Sequence, residues 1–102
     1  MHARVAFFSS KTGSFDEVVR AVEEPGGLLG IFRKQPGFRS YELIGTGAGL
    51  VSVSHWDSSR QADAASSVAA AWAATHIDHL VKLQQSDVGE VVISSWERRA
   101  AA

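Results

Sequence analysis

The stretch FRSYELIGTGAGLVSVSHWD, residues 38–57, decides the fold because it contains two strand patterns joined by a glycine-rich turn. Apolar and polar residues alternate through 38–45 and again through 50–57, which is the period of two expected for a β-strand. The segment GTGAG at 45–49 supplies a flexible turn. The stretch therefore predicts a β-hairpin. One face of its second strand would carry Val51, Val53 and His55, and the other would carry Leu50, Ser52, Ser54 and Trp56.

Outward towards the N-terminus, residues 4–10 (RVAFFSS) are rich in β-formers and predict a first strand. Ser14 and Glu17 are spaced as a capping box, and apolar residues then recur at helical spacing. The pattern predicts a helix over 14–24 and a short helical piece ending at 34, before a turn at Pro36 and Gly37.

Outward towards the C-terminus, Ser58 and Gln61 form a second capping box at the start of an alanine-rich run. High helix propensity predicts a helix over 60–83, a loop over 84–87 and a last strand over 88–96. The order β-α-β-β-α-β predicts an α+β, ferredoxin-like fold, with a four-stranded antiparallel sheet and two helices on one face.

Length and composition set the remaining bounds. The 102 residues, about 45% hydrophobic and 21% charged, suit one domain over 1–97 and a short tail over 98–102. Ten basic and eleven acidic residues give a net charge of −1, which argues against nucleic acid or an anionic membrane as partner. The absence of cysteine excludes disulfides and thiolate chemistry.

The N-terminus, Met1-His2-Ala3-Arg4, has no signal-peptide layout, and the longest apolar stretch is shorter than the ~18 residues that span a bilayer. These features predict a cytoplasmic protein.

Both faces of the predicted sheet carry large apolar residues. In the first strand Val5 and Phe7 lie opposite Ala6 and Phe8. Two helices cover only one face of a four-stranded sheet, so the second face requires a partner, and another copy of the chain is the simplest one. The predicted last strand has the same two-faced pattern, with Val91 and Ile93 on one side and Val88, Val92 and Trp96 on the other. The sequence therefore predicts a homodimer.

Two segments carry a resemblance to a known family: QPGFRSYEL at 35–43 and HWDSSRQA at 55–62. They resemble the antibiotic biosynthesis monooxygenase-like domains of the dimeric α/β-barrel superfamily, in which a Pro-Gly-Phe turn leads into the second strand and Trp-Asp-Ser launches the second helix. The resemblance implies a barrel formed by two sheets. The family includes cofactor-independent oxygenases acting on aromatic or quinol-type molecules, haem-degrading enzymes and isomerases.

The haem-degrading branch of that family has a histidine on the second helix, an earlier tryptophan on it and an asparagine on the first strand. His76 matches the histidine, but Ala65 stands near the tryptophan position and Phe8 or Ser9 near the asparagine position. The resemblance therefore does not imply haem degradation, although haem binding through His76 stays open.

Several residues are candidates for chemistry. His76 lies one helical turn from Trp72, so it would act as a base or orienting group in a pocket between the second helix and the sheet, or would be a half-buried structural histidine. His76 and His79 are spaced to share a metal, but no third ligand is placed, so no metal site is predicted. The predicted substrate-binding residues are Trp72, Tyr41, His55 and Phe8.

These residues favour a small cofactor-independent monooxygenase acting on an aromatic or quinone-type molecule, in a dry pocket with one base. The alternatives are a non-catalytic dimeric module that binds a small molecule or haem, and a dimerisation domain without ligand. The sequence does not decide between them.

Overall fold

The structure, a computed structural model, describes residues 1–95. Residue Trp96 and the predicted tail at 98–102 lie outside the described residues. The described residues form four strands and three helices: β1 (His2–Ser10), α1 (Asp16–Glu23), α2 (Leu28–Arg33), β2 (Phe38–Thr46), β3 (Gly49–Trp56), α3 (Ser59–His76) and β4 (Val81–Glu90).

The four strands form one antiparallel sheet in the order β2-β3-β1-β4. This is the ferredoxin-like arrangement that the β-α-β-β-α-β order predicts, and it is confirmed. The predicted hairpin is β2 and β3, and β1 lies between β3 and β4 at the centre of the sheet. No helix in the described part of the chain is long and apolar enough to cross a bilayer.

The turn before β2 depends on Gly37. Its φ of +79° lies in the left-handed region, which an L-residue with a side chain adopts only with strain. A Cβ at this position would also meet the amide of Gln61 at the start of α3. Gly37 therefore permits both the turn and the close approach of α3 to the start of β2.

The two predicted helix caps have different outcomes. Ser58 caps α3 as predicted, since its Oγ accepts from the Gln61 amide at 3.3 Å. The capping box at Ser14 is wrong: α1 begins at Asp16 after Phe15, with no side-chain cap. Ser14 Oγ instead accepts from the Asp16 amide at 3.3 Å, a local turn that replaces the box.

The boundary between the last helix and the last strand was predicted wrongly. The helix ends at His76, and β4 covers the segment predicted as the end of a helix and a loop. Ile77 leaves the helical conformation with φ −130°, and the amides of Leu80 and Val81 both bond to its carbonyl in a turn. β4 can then pair with β1 along its whole length, from Ser10↔Val81 to His2↔Glu90.

The same shift removes the predicted two-faced apolar pattern of the last strand. Val91 and Ile93 follow β4 rather than lying in it, and Val92 and Ile93 are 83% and 78% exposed. Of the apolar residues assigned to the two sides of the last strand, Val88, which pairs with Arg4, is the one that lies in β4.

All three helices cover one face of the sheet. That face carries the buried residues of β3, which share one side of the strand as the alternation predicts: Leu50, Ser52, Ser54 and Trp56. Trp56 is fully buried, and its ring meets Phe32 edge-on at 5.2 Å and Phe38 at 5.4 Å. No helix within residues 1–95 lies over the opposite face, which is called the open face below.

Candidate functional site

A small cavity lies between α3 and the covered face of the sheet. It has a volume of about 20 Å³, which is room for one water molecule. It is called the inner cavity, and its polar wall consists of Arg4, Tyr41, Ser52 and Trp72, while apolar residues of the helices and of β1, β2 and β3 form the rest. The pocket that the sequence predicts between the second long helix and the sheet stays a prediction, because the inner cavity has room for only one water molecule.

A larger space of about 140 Å³ adjoins the inner cavity towards β4 and is called the outer cleft. Its size is close to the ~150 Å³ of an engineered cavity that holds benzene. Arg4, Phe8, Ala69 and Ala73 line both spaces and so form the wall that they share. The space exists because α3 presents alanines to the sheet where larger side chains would fill it.

Arg4 is the charged group at this wall. It lies on β1 in phase with Ala6 and is 3% exposed. Its Nε has no hydrogen-bond partner, and burial lowers the pKa of its guanidinium below the ordinary value, an effect that the nearby Tyr41 opposes. The guanidinium stays charged, because arginine does not lose its proton in proteins. A buried cation without a paired carboxylate destabilises the folded state. The cost is about that of removing one partner from a buried ion pair, which is several kcal/mol.

Two contacts, one to the ring and one to the hydroxyl, hold the Tyr41 side chain in place. Phe32 meets the ring edge-on at 5.4 Å, and Ser52 Oγ donates to the phenolic oxygen at 3.3 Å. Burial raises the pKa of the Tyr41 phenol above its ordinary value, while the bond from Ser52 and the charge of Arg4 oppose the rise. Tyr41 is therefore a neutral phenol at physiological pH and can donate its proton to an occupant of the cavity.

Trp72 and His76 are neighbours, as the helical spacing predicts, but they occupy different environments. Trp72 is 5% exposed and lines the inner cavity, and its indole Nε1 is buried without a hydrogen-bond partner. His76 is the last residue of α3 and is exposed. Its ring stacks on the indole with centroids 5.0 Å apart and planes 11° apart, and its Nδ1 lies 2.9 Å from the Trp72 carbonyl.

The other predicted site residues separate into two groups. Phe8 joins Tyr41 and Trp72 at the inner cavity. His55 lies on the open face, because it alternates with the buried Ser54 and Trp56, and its Nδ1 is 3.0 Å from Ser40 Oγ on β2. The structure thus brings three of the five predicted residues together and places His55 and His76 outside both spaces.

Metal ligands are not clustered in the described residues. Within 1–95 no group of three or more His, Asp or Glu side chains is arranged to hold a metal ion. His76 and His79 follow one another at the end of α3 and in the turn after it, and both are exposed.

The sequence-based prediction missed Arg4. A usable signal was present, since a period of two from Ala6 and Phe8 places residue 4 on the covered face. A charged residue in phase with a buried strand face is rarely left inside without a function or a partner.

The fold is shared with SnoaB, a cofactor-independent oxygenase from Streptomyces nogalater, at a TM-score of 0.71. The two chains are 16% identical, and the match covers 92% of this chain and 95% of that one. No family model matches the sequence, and no curated protein matches it. The likeness confirms the predicted fold.

Proposed function

We propose that the chain is a cofactor-independent monooxygenase that oxidises an electron-rich aromatic or quinone-type molecule beneath α3. The observation that carries the proposal is the inner cavity lined by Tyr41, Trp72 and Phe8, together with the adjoining outer cleft that Phe8 also lines. They lie in a fold that SnoaB, a cofactor-independent oxygenase, also has. Apolar walls with a few fixed polar donors suit the binding of a planar aromatic molecule.

The reaction requires few catalytic groups from the protein. A methylene between aromatic rings loses a proton, and the resulting carbanion transfers electrons to O₂. One oxygen atom becomes the new carbonyl, and the other leaves as water with the two substrate hydrogens, so R₂CH₂ and O₂ give R₂CO and H₂O. The substrate supplies all the electrons, and the protein contributes orientation, exclusion of water and stabilisation of the anion.

The residues divide these tasks by position. We assign Tyr41 as a neutral donor to a substrate oxygen, and Trp72 and Phe8 as walls against which the ring packs. His76 serves as an orienting group for Trp72, through the stacked rings and the bond to its carbonyl. Asp78, exposed at the rim of the outer cleft, is the lining side chain able to accept a proton.

A substrate larger than one ring requires the inner cavity and the outer cleft to merge. Phe8 is the bulky apolar side chain that lines both, and it is half-buried on a central strand. A change in its side-chain rotamer is the smallest movement that would join the two volumes, with the alanines of α3 giving the necessary clearance.

The homodimer belongs to the same proposal. The open face carries Val5 and Phe7 of β1 beside Val51 and Val53 of β3, and Phe7 is 42% exposed. An apolar face of this kind on a short chain is covered in a stable protein, and the resemblance to dimeric α/β barrels favours a second copy as the cover. Polar groups such as Glu42 and Asp87 lie on the flanking strands, where an interface rim is expected.

Oxygen uptake with 1,8-dihydroxyanthrone tests the enzymatic proposal. We expect the metal-free and flavin-free protein to accelerate uptake well above the spontaneous rate, with one O₂ consumed per quinone formed and no hydrogen peroxide accumulating. A chelator should leave the rate unchanged, and Tyr41→Phe should lower it. An uptake rate equal to that of buffer alone, across a panel of anthrones and quinols, would contradict the proposal.

A non-catalytic binding module is the second candidate. The observation that favours it is that none of the four histidines lines either the inner cavity or the outer cleft. In that case aromatic ligands should bind and quench Trp72 fluorescence without any oxygen uptake. A histidine-dependent Soret shift on adding hemin would identify haem as the ligand.

A further inference from the structure

Arg4 is a buried cation that the tasks described so far do not use. It sits in the middle of the covered face, paired in register with Ser54 on β3 and Val88 on β4. Neither neighbour carries a charge. Within residues 1–95 no carboxylate forms an ion pair with it, and the one ionisable group that acts on it is the neutral phenol of Tyr41.

The groups around Arg4 are hydrogen-bond donors without a matching acceptor. The guanidinium Nε and the indole Nε1 of Trp72 are both buried and unpartnered, and the Tyr41 oxygen already accepts from Ser52. Buried polar groups normally find partners, so two orphan donors at one cavity call for an acceptor that the chain does not supply. An anionic oxygen is an acceptor of the kind that these donors lack.

The surroundings make this charge effective. Phe8, Ala69 and Ala73 line both spaces beside Arg4 and keep them apolar, which strengthens an electrostatic contact relative to water. Besides Arg4, the ionisable side chains that line the two spaces are Tyr41 and Asp78. Asp78 is exposed at the rim, where solvent screens its charge.

We propose that Arg4 binds an ionised oxygen of the ligand, which narrows the substrate class to planar aromatic molecules that carry an acidic phenol or enol. On binding, the ligand's O–H bond breaks, the electron pair stays on oxygen and the proton passes to solvent. The identity of the ligand as a substrate rests on the proposed function above, whereas the anion site does not. Arg4 in this role touches the substrate and stabilises the electron-rich form that reacts with O₂.

The probe for this site is 4-nitrophenol, a one-ring phenol that the outer cleft has room for and whose anion alone absorbs visible light. Absorbance titration of the full chain at the pH where the free phenol is half ionised gives both affinity and ionised fraction. We expect the bound probe to be predominantly the anion. Competition with 4-nitroanisole, which has no acidic proton, measures the neutral affinity at the same site.

Arg4→Met removes the charge and keeps an extended side chain. We expect it to lower affinity for the 4-nitrophenolate anion at least tenfold while the affinity for 4-nitroanisole changes less than twofold. Arg60→Met is the matched control, because it removes an exposed arginine near the start of α3, away from both spaces, and should bind as the wild type does. Arg4→Lys should retain part of the preference for the anion.

Urea unfolding separates a binding role from a structural one. Removing an unpaired buried charge should move the unfolding midpoint of Arg4→Met to higher urea, whereas loss of a structural contact would move it lower. The proposal is overturned if the wild type binds no probe, binds the neutral form preferentially, or if Arg4→Met and Arg4→Lys both keep the wild-type anion preference.

The two proposals fail separately. Arg4-dependent anion binding without oxygen uptake would reject the oxygenase and leave the anion site standing. Oxygen uptake with unchanged anion preference in both Arg4 variants would reject the anion site and leave the oxygenase standing.

Discussion

The covered face of the sheet carries Arg4, Ser52 and Ser54 on its two central strands, whereas the open face carries Val5, Phe7 and Val53 on the same strands. The three polar residues are at most 3% exposed, and Phe7 is 42% exposed. In most domains the larger apolar side chains lie inside and the charges outside. Positions 4, 52 and 54 of this sheet reverse that arrangement, although Leu50 and Trp56 of the same face are apolar and buried.

The comparison shows that each face lacks a binding partner, and that the two partners differ in kind. The covered face has a charge and two donors that the chain does not satisfy, which suits an anionic ligand. The open face has apolar area that the chain does not cover, which suits a second copy. The two needs are independent, because residues with alternating numbers on a strand point to opposite faces, so a substitution on one face leaves the other intact. Each prediction below uses that independence.

The largest effect is expected at the open face. Phe7→Glu places a charge in the proposed interface and should weaken dimerisation about 30-fold or more, corresponding to about 2 kcal/mol for an interface hot spot. Sedimentation velocity over a range of concentrations measures the change. Val19→Glu is the control, since Val19 of α1 is 39% exposed but lies on the helical side.

Two results would contradict the proposed dimer interface at the open face. One is a dimer of wild-type strength in Phe7→Glu, and the other is equal weakening by Val19→Glu. Binding of 4-nitrophenol should survive in Phe7→Glu if the faces act independently.

The next effect is expected where α3 borders the two spaces. Ala73→Leu fills the wall that the inner cavity and the outer cleft share and should lower kcat/KM for 1,8-dihydroxyanthrone about tenfold, or about 1.4 kcal/mol. Ala71→Leu adds the same atoms to an exposed position of α3 and should leave kcat/KM unchanged. Equal activity of both variants would place the reaction elsewhere.

The fold was predictable where the two faces of a strand differ in the sequence. β3 alternates, and the residues that share each of its sides were predicted correctly, but which side is buried was not predicted, and His55 was placed on the pocket side. β4 gave no such signal, because it is an edge strand whose middle residues, Leu83 to Gly89, are mostly polar and exposed. Its place is set by pairing with β1, a long-range interaction that periodicity does not reveal.

The candidate site was predictable only in part for a related reason. Tyr41 and Phe8 lie on strands, where alternation fixes the face, and both line the inner cavity. The exposure of His76 depends on where α3 ends, and helix ends are the least reliable part of a sequence-based assignment. Arg4 was in phase with the covered face, but the predicted first strand began at Arg4 and no role was predicted for its charge.

Substitutions of His76 test whether the end of α3 contributes to activity at the covered face. His76→Ala removes the ring stacked on Trp72 and should lower kcat/KM about threefold, since an aromatic pair contributes about 0.5–1.5 kcal/mol. His76→Phe keeps the stack and should restore most of the loss. Equal losses in both variants, with a change in the pH profile, would assign His76 acid–base work and contradict the orienting role.

The smallest expected effect is a shift in the titration midpoint of the Tyr41 phenol, which lies on the covered face. Tyr41 is the single tyrosine of the chain, so the absorbance of its phenolate is free of overlap from other tyrosines. Burial raises the pKa of Tyr41, and the midpoint should therefore lie above the ordinary value of about 10. Arg4→Met should move it higher still, because the Arg4 charge lowers it.

The same shift fixes the sign of the pH dependence of stability. A raised pKa in the folded state means that the unfolded chain releases the Tyr41 proton first as pH rises. The free energy of unfolding should therefore be unaffected by this group below about pH 10 and should fall as pH rises towards the folded pKa. Tyr41→Phe should remove that part of the alkaline loss. A midpoint that Arg4→Met leaves in place would show that the guanidinium and the phenol do not share the cavity.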